Sequence, residues 1–152
     1  MLHHADPRIR EYASLELFRG CSRRELRLLS RLGTRLDVPT GRTLADQGTR
    51  RSEFLLIVEG AADVLRDGYV VDHLGPADHC GEFTLLRSVP QPVTVVVTAP
   101  SVIDVFDTRG FRSVYTAIPS LQAAIDRMLD RRTAAWLTVP TGAVPVSPAL
   151  TQ

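Results

Sequence analysis

The densest collection of chemically competent side chains in this sequence is the run His79-Cys80-Gly81-Glu82, with His73 six positions upstream. Imidazole, thiolate and carboxylate are all transition-metal ligands, so the pattern H-x5-H-C-x-E raises metal-dependent chemistry as one reading. Gly75 marks a turn between the two histidines, which need not face one site. Nucleophilic hydrolysis has less support: serine, histidine and aspartate occur, but not in a nucleophile-elbow context. The only cysteines, Cys21 and Cys80, are too few and too far apart for a disulfide framework or a zinc knuckle, and both are expected to be free thiols. His3 and His4, beside the first residue, read as solvated.

The elements that must position this cluster follow from periodicity. From residue 7 to residue 32 apolar side chains recur at helical spacing, with a break at Gly20 and Ser22 placed to cap a second helix. Glu25 stands three residues after Ser22, so Ser-Arg-Arg-Glu reads as a capping box. Between residues 34 and 107 the pattern changes to short apolar or alternating runs divided by glycines. It predicts strands over 35–38, 43–46, 54–58, 61–65, 70–74, 93–98 and 102–106. Asp67-Gly68 is a hairpin signal, because both residues accept the positive φ of a tight turn. Helical spacing returns from residue 108, breaks at Pro119, where the missing N–H costs a first turn nothing, and continues to about Trp136.

Two helices, many short strands and two more helices predict a mainly β fold with flanking helices, the β part closing as a jelly-roll barrel. The expected organisation is one domain over residues 1–137, with a helical entry at 7–32, a β-barrel at 34–107 and C-terminal helices at 108–137. Residues 138–152 are rich in proline and small residues, without charge or period, and are expected to form a disordered tail. The 152 residues suit a single core, and 44% apolar with 23% charged content is ordinary for a soluble protein. A net charge of +1 gives no bulk electrostatic reason to expect nucleic acid. The start Met-Leu-His-His-Ala-Asp-Pro-Arg lacks the apolar stretch of a signal peptide, and no run reaches membrane-spanning length. A cytoplasmic protein without membrane contact is the expectation.

The run from His79 to Val97, H-C-G-E-F-T-L-L-R-S-V-P-Q-P-V-T-V-V-V, resembles the phosphate-binding cassette of cyclic-nucleotide-binding domains, the family of the catabolite activator protein and the regulatory subunits of cyclic-nucleotide-dependent kinases. That cassette runs approximately F-G-E-L-A-L-L-x-x-x-P-R-A-A-T-V, and Gly81, Glu82, Leu85, Leu86, Pro90, Thr94 and Val95 match it without a gap. A second point of resemblance is L-F-R-G-C-S-R-R-E-L-R-L-L at residues 17–29, close to the family's opening L-F-x-G-L-S-x-x-E-L-x-x-L. The resemblance spans roughly residues 15–137 and implies a stand-alone, non-enzymatic regulatory module with the double-stranded β-helix barrel of that family.

The resemblance also implies a ligand-binding set: Gly81, Glu82, Phe83 and Thr84 at the start of a short helix, then Gln91, Pro92 and Val93. Glu82 would take a ribose hydroxyl, and the helix amides would face the cyclic phosphate. Where the family places its phosphate-binding arginine the chain has Gln91, and Pro92 follows where the family offers a backbone N–H. Losing a charged partner of this kind costs about 2–5 kcal/mol, roughly 30- to several-thousand-fold in affinity. The resemblance therefore implies a cassette with weakened or lost affinity, no resident cofactor, and cyclic AMP at most as a weak ligand. The alternative is a working cyclic-AMP sensor that uses Glu82, the helix N-terminus and charge from Arg87. A minor one is a metal enzyme of the cupin type, another jelly roll, although the paired H-x-H of cupins is missing. Met128, Leu129 and Trp136 could cover a ligand, pack in the core or form a homodimer seam, which Arg131-Arg132 would interrupt. A protein partner of unknown identity would carry the output.

Overall fold

The computed structural model describes residues 6–138 together with 144 and 145. His3, His4 and most of the segment expected to be a disordered tail lie outside the described residues. Helix α1 (Pro7–Ser14) starts where Asp6 accepts from the Arg8 N–H and Pro7 opens the first turn. After a 3-10 turn (Glu16–Phe18), α2 (Arg23–Leu32) begins with the capping box read from the sequence: the Glu25 N–H donates to Ser22 Oγ and the Ser22 N–H to Glu25 Oε1. Six antiparallel strands follow: β1 (Thr34–Val38), β2 (Thr43–Ala45), β3 (Phe54–Arg66), β4 (Tyr69–Leu74), β5 (His79–Cys80) and β6 (Thr94–Phe106). Helix α3 (Glu82–Arg87) sits between β5 and β6, and α4 (Thr108–Ala117) and α5 (Pro119–Trp136) close the chain.

Two long strands organise the sheet. β6 pairs with β1 near one end, with β2 near the other and with β3 along most of its length. On its other edge β3 takes β5 at Leu55 and Leu56, then β4 from Ala62 onwards. The separately predicted strands 54–58 and 61–65 are thus one strand, as are 93–98 and 102–106. Gly60 and Pro100-Ser101 read as breaks in the sequence, but they are bends. The register with β6 shifts on both sides of Gly60, whose φ is 110°. A Cβ there would lie 2.0 Å from Ser101 Oγ, so only glycine lets the two strands cross so closely. The two-residue β5 was not predicted. Asp67 and Gly68, with φ of 52° and 83°, make the expected β3–β4 hairpin.

Alternation along β3 sends its side chains into two cores. Leu55, Ile57 and Val64 face a cluster with Val95, Val97, Phe83, Leu129 and Trp136, whereas Phe54, Leu56 and Val58 face Phe106, Phe111, Leu121, Ile125 and the N-terminal helices. Burial on both sides explains why β3 begins as a continuous apolar run rather than an alternating one. A buried polar network ties α1 to the sheet: Tyr12 Oη donates to Asp104 Oδ2 at 2.5 Å, and Arg35 bonds to both Asp104 oxygens and to Glu11.

Candidate functional site

Helix α3 and the strand before it hold the residues the sequence singled out. Gly81 adopts φ 99° and turns the chain from β5 into α3. An added Cβ would sit 1.9 Å from the Glu53 carbonyl oxygen, in a backbone region that L side chains avoid. Gly81→Ala is expected to lower stability by about 1–3 kcal/mol. A thermal melt of the variant checks this, and an unchanged midpoint would overturn it.

Glu82 points inward and is fully buried. Its Oε1 accepts from Arg132 Nη1, while its Oε2 lies 3.3 Å from His79 Nδ1 without the geometry of a hydrogen bond. Burial would push this carboxyl up, but the Arg132 guanidinium beside it prevails and holds it down at about 2. Arg132, only 2% exposed, also spreads its guanidinium over Trp136, with Cζ 4.1 Å from the ring centroid. Trp136 packs against Phe83 and donates from Nε1 to Asp72 Oδ2 at 2.8 Å. One turn of α5 therefore closes over α3 through a cation, an indole and a carboxylate.

The structure assigns different roles to the remaining expected site residues. Gln91 is buried and donates from Nε2 to the Arg51 carbonyl at 3.0 Å. Pro92 offers its carbonyl to Arg66 Nη1 at 2.7 Å, and Val93 is part of the barrel core. Thr84 is buried, with no partner for Oγ1 among the described residues. The cavity between Gly81, Gln91, Leu44 and Leu55 amounts to about 10 Å³, room for one water at most. Arg87, weighed as a substitute source of charge, instead turns to Thr133 and Asp130 of α5.

Arg132 is the residue of this site that sequence reasoning misplaced. The sequence pattern has it interrupting an apolar seam, yet it lies on the buried stripe of α5 with Leu121, Ile125, Leu129 and Trp136. Its place on that stripe was the available signal, since a cation at a core position needs a buried counter-ion. The same stripe packs within this chain, on the sheet and on α4.

The metal ligands suggested by spacing do not converge. His73 is exposed and bonds to Asp63, whereas His79 is buried against Phe54. Burial also pushes the Cys80 thiol up to about 12. Among the described residues no group of three or more histidines, cysteines and carboxylates is placed to hold a metal ion, and both cysteines are free.

Toward His79, Arg132 can only donate. Arg132 Nη1 lies 3.2 Å from His79 Nδ1, so Nδ1 is the acceptor and the ring proton resides on Nε2. Burial lowers the His79 pKa below the ordinary 6.5 and keeps the ring neutral. In the unfolded chain the imidazole takes up a proton as pH falls through that value, whereas in the folded chain it does not. The stability His79 contributes is therefore complete above pH 6.5 and lost as the pH falls below it. Unfolding free energy should drop between about pH 7 and 5.5 by up to roughly 1.4 kcal/mol per pH unit. His79→Gln, followed by urea titration at each pH, should flatten that slope, and an equal slope in the variant would reject the assignment.

Comparison with known proteins identifies the family and the fold. Residues 35–117, more than half of the chain, match the model of the cyclic nucleotide-binding domain. The chain belongs to the cyclic nucleotide-binding domain family. An uncharacterized protein of Mycobacterium tuberculosis is 40% identical over 77 residues, which are 51% of this chain and 15% of that protein. The acetyltransferase Pat of Mycolicibacterium smegmatis is 30% identical over 142 residues, 91% of this chain and 42% of Pat. The chain thus spans well under half the length of these curated relatives. Among solved structures, the regulatory subunit of a cAMP-independent protein kinase A from Trypanosoma brucei superposes with a TM-score of 0.71 at 20% identity, covering 84% of this chain and 45% of that one. The fold is that of the family, an antiparallel β-roll with helices before and after it. No described helix is long and apolar enough to cross a membrane.

Proposed function

We propose that this chain is a regulatory, non-enzymatic module in which cyclic-nucleotide affinity is weakened or lost, and that it acts in the cytoplasm through a partner protein or through self-association. The observation that carries this reading is Gln91. Its amide is committed to the Arg51 carbonyl, so the position at which the family presents a fixed positive charge presents none. Pro92 has no N–H to add, and Arg132 already occupies one oxygen of Glu82.

One observation favours a second reading, a working cyclic-AMP sensor. Among the described residues Glu82 Oε2 and Thr84 Oγ1 are buried without hydrogen-bond partners, and a ribose hydroxyl could donate to the first of them. Calorimetric titration with cyclic AMP and cyclic GMP, sensitive to dissociation constants from about 1 μM to 1 mM, separates the two. No heat, or only millimolar binding, supports the first reading. Micromolar binding that Glu82→Ala abolishes establishes the second.

A further inference from the structure

A cleft of about 480 Å³ opens between the 3-10 turn after α1, the loop at residues 76–78 and α5, within the range of small-molecule sites. His79 lines this cleft, and its Nε2 is buried with no partner among the described residues. Because Nδ1 accepts from Arg132, this orphan is an N–H donor, and buried donors are normally satisfied. Arg127 and Arg131 stand one turn apart on the same wall, where like charges destabilise a helix. Neither joins any of the ion pairs found among the described residues. Of the two carboxylates at the cleft, Asp78 accepts from the Gly75 N–H and Glu16 is exposed. Ala77, at the base of the loop, is held at φ 76°, a strained conformation for alanine. Leu15, Leu17 and Met128 supply apolar surface beside the cations.

We propose that this cleft binds a small organic anion, its carboxylate or phosphate oxygens held by Arg127, Arg131 and the His79 Nε2–H, and its apolar body resting on Leu15, Leu17 and Met128. No reaction is involved, only binding. The site is separate from the α3 cassette but connected to it, because an anion accepting from Nε2–H makes Nδ1 a stronger acceptor for Arg132, which in turn holds Glu82. Any ligand of the cassette and a ligand of the cleft would then affect each other's affinity reciprocally.

The test uses the full chain labelled with nitrogen-15, with the His79 side-chain Nε2 resonance followed by NMR. Benzoate and phenyl phosphate probe the two head groups, and benzyl alcohol is the neutral control, each added to about 10 mM. The expected result is a saturable shift with at least one anion and none with the alcohol, the tighter anion identifying the head group. Arg127→Gln combined with Arg131→Gln, both at exposed positions, should weaken that binding about tenfold or more without lowering the melting temperature. The proposal is overturned if neither anion shifts the resonance, if benzyl alcohol shifts it equally, or if the double variant binds as tightly as the parent.

Discussion

Replacing Arg132 by methionine is expected to destabilise the domain by about 3–5 kcal/mol, the cost of stranding a buried charge when its partner is removed. Glu82 is fully buried, and among the described residues the guanidinium is its only hydrogen-bonded counter-ion. Methionine approximates the volume of the arginine stem and keeps contact with Trp136, so the loss reports the charge rather than a cavity. Without Arg132, the depressed pKa of Glu82 should rise, and protonation of the carboxyl will limit the penalty near neutral pH. The companion is the double variant Arg132→Met with Glu82→Gln, which removes both charges and should recover much of the loss, because replacing a buried ion pair as a unit is often close to neutral. Urea unfolding of the parent, both single variants and the double completes the cycle. A single variant within about 0.5 kcal/mol of the parent would mean that the pair contributes nothing to holding α5 on the cassette.

The second large effect is a gain. Gln91→Arg with Pro92→Ala is expected to raise affinity for cyclic AMP by roughly 30- to several-thousand-fold, the counterpart of the 2–5 kcal/mol carried by a buried charged partner. Arginine supplies the bidentate fork that glutamine lacks, and alanine restores an N–H. To reach a phosphate, the new side chain must abandon the contact that Gln91 makes with the Arg51 carbonyl, a partly buried bond worth about 1 kcal/mol. Calorimetry against cyclic AMP reads the outcome, with a melt to verify folding. If the folded variant still binds no more tightly than the parent, the missing clamp is not what limits affinity, and the packing of Trp136 and Arg132 over α3 becomes the cause.

Local signals in the sequence were readable wherever one residue type determines one geometry. The Ser22–Glu25 capping box, the Asp67-Gly68 hairpin and the first turn at Pro119 all depend on neighbours a few positions apart, and each stands as expected. The strand boundaries failed at Gly60 and at Pro100-Ser101 because the same residues that end a strand also let one bend where another crosses it. β5 was hidden because two residues carry no period. In the candidate site, the helix start at Glu82, Phe83 and Thr84 was legible only through the resemblance to the family's cassette. The partner of Glu82 was not, because Arg132 is 50 residues away and a cation on a helix normally belongs to water. Likewise, nothing in the local pattern around His79 reveals that its ring meets Arg132 on one nitrogen and no described residue on the other.

The central position of β6 has a consequence for synthesis. β1, β2 and β3 all take their main partner from residues 94–106, so none of them can complete its pairing until that stretch has left the ribosome. The Thr34 to Val105 pairing alone closes an excursion of about 70 residues, a costly long-range step that makes this a slow topology to fold. During translation, at about 5–20 residues per second, the apolar run of β3 must wait several seconds for its partner. Throughout that interval Phe54 to Val58 forms an unpaired, uncharged edge, which makes the nascent chain, rather than the finished domain, the species most exposed to aggregation and most dependent on chaperones.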